Sequence, residues 1–147
     1  MSFDDIAARA LDTASSHGAT YADIRFDVAR TERIEVRNGV VATLSDATSR
    51  GYGIRALFGG AWGFAAGSDL SETGVDRVAA RAVAIAKAGA SISGRRFGEP
   101  PSKAYVDTFA TPMHRDPVDV ALGDRVALLL AAEKTLHVGP AIGVGRA

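Results

Sequence analysis

The chain has 147 residues, 47% hydrophobic and 23% charged, the balance of a folded domain rather than a disordered one. Seventeen basic residues offset seventeen acidic ones, which argues against a dedicated nucleic-acid surface. With no cysteine, disulfides, thiolate catalysis and Cys-based zinc fingers are excluded within these residues.

No apolar run approaches the roughly 20 residues that span a bilayer. The amino terminus lacks the basic and apolar regions of a signal peptide, so the expected compartment is the cytoplasm.

Ser2, with Asp5 three residues on, forms an approximate capping box. Phe3, Ile6, Ala7, Ala10, Leu11 and Ala14 recur at helical spacing, and Gly18 follows as a C′ residue. The spacing predicts an amphipathic helix over 3–17. The period then falls to two. Ala22, Ile24, Phe26 and Val28 alternate with Tyr21, Asp23, Arg25 and Asp27, as on a strand with one wet face. Ile34 and Val36 alternate with Arg33, Glu35 and Arg37, and Asn38-Gly39 supplies a type I′ hairpin turn. Val40, Ala42 and Leu44 continue on the return strand. Tyr52, Ile54, Ala56 and Phe58 mark another, turned by Gly59-Gly60 into Trp62 and Phe64. Four to five strands in an antiparallel meander are expected.

Ser71 or Asp69 can cap a second helix with the stripe Val75, Val78, Ala79, Ala82, Val83 and Ala86, stopping near Gly89. Residues 91–117 hold all but one of the five prolines and read as an irregular linker, with one short strand near Ala104–Phe109. A last helix starts at Asp116-Pro117 or nearer Asp124 and runs through Leu128–Leu130. The expected class is α+β, an antiparallel meander with helices packed on one face. The organisation expected is one domain over 1–135 and the start of a following one over 136–147, where Val138, Ile142 and Val144 resemble a further strand. The apolar run Leu128–Leu130 is expected to cover additional protein.

Little of this sequence speaks of chemistry. His17, His114 and His137 show no zinc-binding spacing among themselves. His17 ends a helix, where its charged form gains from the dipole, and His114 reads as a loop residue. Glu133 and His137, four apart, could share a helix face as half a metal site or, more commonly, as a surface pair. Gly51-Tyr52-Gly53-Ile54-Arg55-Ala56 matches a dinucleotide fingerprint in letters only, because a strand follows where a helix is needed. Its small residues instead suit a close crossing of the sheet. Ser68 lies in Ala-Gly-Ser-Asp rather than a nucleophile elbow, and Arg95-Arg96 is too short for a basic patch. Trp62 and Phe64 are assigned to the core, with a partner-binding patch as the alternative. No residue is assigned a catalytic, cofactor-binding or metal-binding role.

Taken together and in order, several stretches resemble one family. They are Gly18–Arg25, Glu35–Val40, Gly51–Leu57 running into Gly60–Ala65, and Asp116-Pro-Val-Asp-Val-Ala-Leu122 before the Leu-rich helix. They are similar to the amino-terminal domain of TldD/PmbA proteins, also called modulators of DNA gyrase. The resemblance implies a longer, cytoplasmic protein whose catalytic branch carries a His-Glu-x-x-x-His zinc motif and a Cys ligand in a downstream domain. It implies no cofactor in this chain, with zinc held downstream. The implied partners are the protein's own carboxy-terminal domain, a second TldD/PmbA-type subunit in a homo- or heterodimer, and peptide substrates, without nucleic acid or membrane. Ala61-Trp-Gly-Phe-Ala65 looks more like the peptidase branch. The alternatives are the non-catalytic PmbA/TldE-like partner and a self-contained binding module.

Overall fold

A computed structural model describes residues 2–92, 94, 96–98, 100, 103, 106–139 and 143–147. The elements run α1 (Phe3–Ser16), β1 (Tyr21–Arg37), β2 (Val40–Phe58), β3 (Ala61–Gly67), α2 (Glu72–Ile92) and α3 (Leu122–Leu136), with a single 3-10 turn at Pro117–Asp119. The class is α+β. The three strands form one sheet in the order β1-β2-β3, and β2 pairs antiparallel with β3.

Among the described residues the strand count is three, not four to five. The polar stretches read as breaks, Ala29–Glu32 and Ser45–Gly51, continue as strand inside β1 and β2. They lack proline, and Thr suits an extended backbone; their polar side chains remove the apolar alternation without ending the strands. Both two-residue turns are as expected for type I′, with φ of 49° and 75° at Asn38 and Gly39 and of 55° and 76° at Gly59 and Gly60.

The contacts group the chain into two units, residues 1–29 with 49–104 and residues 30–48 with 105–147. The first holds the core. α1 begins with the full capping box, Ser2 Oγ accepting from the Asp5 amide and the Asp5 carboxylate accepting from the Ser2 amide. Ile6, Ala10 and Ala14 on α1 meet Val75, Val78, Ala79, Ala82 and Val83 on α2, and both helices cover Tyr52, Ile54, Ala56 and Ala65 of the sheet. Ala22, Ile24 and Phe26 pack against the same cluster.

The face of β3 turned to α2 is made of small residues, Ala61, Gly63 and Ala65, all buried. Trp62 and Phe64 therefore point to the opposite face, Phe64 57% exposed, which corrects their assignment to the core. The cause is close approach: a Cβ on Gly63 would lie 2.0 Å from the Ala82 carbonyl oxygen, so only the small face admits the helix. α2 also runs through Gly89 to Ile92 instead of stopping there. Gly89 sits against Ala61, and this packing outweighs its weak helix propensity. The α2 start is as read, with Ser71 Oγ accepting from the Gly74 amide.

In the second unit α3 begins at Leu122. Asp116 caps the preceding 3-10 turn, its carboxylate accepting from the Val118 amide at 2.9 Å. Residues 106–109 are not in a strand, and the remainder of the strand expected near Ala104 lies outside the described residues, as do Arg95, Pro101 and Ile142. Arg146 forms an antiparallel bridge with Arg37. Leu128 is 69% exposed, and Val40, Leu44, Leu122 and Leu136 are exposed as well.

Candidate functional site

Three clusters of side chains stand apart from the core. The first lies on the outer face of the sheet in the first unit. Arg55, near the end of β2, donates from Nη2 and Nε to Asp23 Oδ2 of β1 at 2.6 and 2.9 Å. The same guanidinium lies 5.3 Å from the ring centroid of Trp62 on β3, and Tyr21 meets that ring edge-on at 5.6 Å. Asp23 holds the Arg55 guanidinium charged above arginine's ordinary range. Alternation places all four side chains on one face, so the strands assemble a fixed, charged and aromatic surface.

Beside it Phe64 crosses toward Gly53, where a Cβ would fall 2.8 Å from the ring. A shallow groove of about 490 Å³ opens there, lined by Arg25, Asp27, Gly51, Gly53, Phe64 and Ser68 among others. Gly51 and Gly53 thus serve close packing rather than a phosphate, and the strand after them gives no helix amides for a dinucleotide. Ser68 lies on the rim of the groove without a histidine.

The second cluster joins the two helices. Arg9 of α1 donates to both oxygens of Asp76 on α2, at 3.0 and 2.6 Å, and Thr13 adds a bond at 2.9 Å. The Arg9 bond foremost, with Thr13 assisting, holds the Asp76 carboxyl below its ordinary range against the opposing effect of burial. His17, at the end of α1, has its Nδ1 2.8 Å from the Thr13 carbonyl, a helix-end contact.

The third lies in the second unit. Glu133 is 2% exposed and the one buried charged residue among those described. His137 Nε2 lies 2.6 Å from its Oε1. The i,i+4 spacing was legible; the burial of the carboxylate was not. Nearby, Arg125 on the same helix pairs with Glu32 of β1. Among the described residues no three His, Cys, Asp or Glu side chains converge. Glu133 and His137 bond each other rather than face a vacant position, so this donor set does not fit a zinc site. His114 is an exposed residue of the segment before the 3-10 turn.

The family model for PmbA/TldA metallopeptidase domain 1 matches residues 22–86. Residues 22–86 are thus similar to the first domain of the PmbA/TldA metallopeptidases. Metalloprotease MJ0996 of Methanocaldococcus jannaschii is 23% identical over 116 residues, which are 79% of this chain and 26% of that protein. Two solved structures named for modulation of DNA gyrase share the fold. The one from Bacteroides thetaiotaomicron has a TM-score of 0.71 at 15% identity, covering 97% of this chain and 33% of that one. The one from Thermotoga maritima has a TM-score of 0.66 at 16% identity, covering 99% and 32%. TldE from Thermococcus kodakarensis is similar with a TM-score of 0.54 at 14% identity, over 85% of this chain and 28% of its own. The chain thus spans about a quarter of the curated relative's length (26%).

The matched segment takes in nearly all of β1, then β2, β3 and most of α2. It includes the Arg55–Asp23 pair, Trp62 and the Gly63 crossing. Glu35–Val40 builds the first hairpin, and Gly60–Ala65 supplies both the small helix-facing surface and the outward aromatics. No motif in the sequence paired Arg55 with Asp23 or Arg9 with Asp76. Partners 32 and 67 positions apart leave no local signal beyond their placement on polar faces.

Proposed function

We propose that this chain is a non-catalytic domain of a TldD-like zinc metallopeptidase that degrades or processes peptides and unfolded polypeptides in the cytoplasm. The observation that carries this reading is the match of residues 22–86 to a metallopeptidase domain 1, supported by the metalloprotease relative from Methanocaldococcus jannaschii.

On this reading zinc and its ligands belong to another part of the protein. The metal would polarise the scissile carbonyl and activate water there. The role of this chain is to pack on the catalytic domain and on a second TldD/PmbA-type subunit, helping wall the cleft. Uncovered apolar side chains on α3 and the first hairpin, notably Leu128, Leu44 and Val40, favour a packing role, because patches of this kind commonly mark interfaces.

The test is peptide hydrolysis by the protein of the whole reading frame, assayed with and without a metal chelator, beside the 147-residue chain alone. Chelator-sensitive cleavage by the former and none by the latter is expected. Metal-dependent cleavage by the 147-residue chain would refute the assignment of a non-catalytic role.

A further inference from the structure

Residues 145–147 lie against the end of β1, joined to it by the antiparallel bridge between Arg37 and Arg146. The Val36 amide donates to the Ala147 carbonyl at 2.9 Å and the Ala147 amide returns a bond to Val36 at 3.0 Å. The Asn38 amide donates to the Gly145 carbonyl at 3.2 Å, while the Gly145 amide donates to Asn38 Oδ1 at 3.0 Å. Gly145 also rests on the buried Glu133 of α3 and the exposed His137 that caps this helix. A Cβ there would lie 2.5 Å from Glu133 Oε1 and 2.6 Å from His137 Nε2. The segment is therefore seated against β1 on one side and against a carboxylate–imidazole pair on the other.

We propose that Glu133 and His137 form a clasp that makes docking of residues 145–147 on β1 conditional on their mutual bond. The physics is that of a buried carboxylate. With the segment docked, Glu133 is 2% exposed, and its hydrogen-bond partner among the described residues is His137. Without that bond it would be a buried, unpaired charge, which costs far more than an exposed one. Undocking Gly145 lets water reach the carboxylate and relieves that cost. Loss of the bond therefore shifts the segment toward release. Release frees the backbone of Val36 and Asn38, opening the edge of β1 to another extended segment. The remaining side-chain tie, Arg146 to Glu35 at 2.9 Å, is a surface pair that Arg33 shares; it contributes little to holding the segment. Gly145 is required because only a residue without Cβ fits over the pair.

Amide hydrogen exchange by NMR on the 147-residue chain, at one fixed pH, tests the clasp. The reporting amides are Val36, Asn38 and Ala147, with Ile54 and Ala65 of the β2–β3 ladder as controls. His137→Leu is expected to lower protection of the three reporters by about tenfold or more while the controls hold. Glu133→Leu/His137→Leu, which removes the charge together with its partner, is expected to restore protection to within about threefold of the parent. Gly145→Ala is expected to lower it again, and serves as the deciding variant if His137→Leu disturbs the controls. Unchanged reporters in His137→Leu or in Gly145→Ala would overturn the proposal. A double variant as unprotected as the single one would overturn it too.

Discussion

Gly63 and Ala82 are in backbone contact: a Cβ added to Gly63 would lie 2.0 Å from the Ala82 carbonyl oxygen and 2.5 Å from the Ala86 amide nitrogen. The obstacle is helix backbone, not a flexible side-chain end, so it cannot turn aside. Gly63→Ala must push α2 off β3 and loosen the core around Val78, Ala79 and Ala82. We expect a loss of about 2–3 kcal/mol in urea unfolding. An unchanged midpoint would show that α2 can slide at little cost.

The Arg9–Asp76 contact predicts acid sensitivity between α1 and α2. The Asp76 carboxyl is held below its ordinary range chiefly by Arg9, so its folded form binds a proton less readily than its unfolded form. The stability it contributes is present above the ordinary carboxylate value of about 3.9 and is lost as pH falls through the lower folded value. Thermal melts from neutral pH downward should show Asp76→Asn less stable near neutrality and converging with the parent in acid. Parallel curves at every pH would contradict this.

Arg55 binds Asp23 through two nitrogens while lying over Trp62, a geometry that a lysine cannot reproduce. Arg55→Lys should cost no more than about 1 kcal/mol, since Arg55 is 43% exposed and solvent screens the pair. Its clearer mark is optical. Trp62 is the sole tryptophan, so its emission reports this face alone and should shift in the variant. An identical spectrum would mean that the guanidinium does not sit on the ring in solution.

Leu128, 69% exposed on α3, should make the isolated 147-residue chain self-associate. Light scattering is expected to give a mass that rises with concentration, and Leu128→Glu should suppress the rise. A sharp monomer at all concentrations for the parent chain would count against α3 as a docking face.

How much of this was legible in the sequence depends on how local each signal is. The Ser2–Asp5 box, the turns at Asn38-Gly39 and Gly59-Gly60, and the stripe from Val75 to Ala86 are set by neighbours in the chain and were readable. The count of strands was not, because Ala29–Glu32 and Ser45–Gly51 are largely polar and carry no apolar alternation. The orientation of Trp62 and Phe64 misled for a different reason. On β3 the smallest residues face the core, since a helix presses on them, while hydrophobicity alone favours the aromatics. Among the candidate site residues, the Glu133–His137 spacing was visible, but Gly145 and Asn38 reach each other across 107 positions, beyond any local pattern.

The measurement that bears most directly on the central claim is bound zinc per subunit, determined for the protein of the whole reading frame and for the 147-residue chain side by side. A zinc metallopeptidase with its chemistry outside this domain predicts about one zinc in the former and none in the latter. Stoichiometric zinc in the 147-residue chain, or none in either protein, would contradict it.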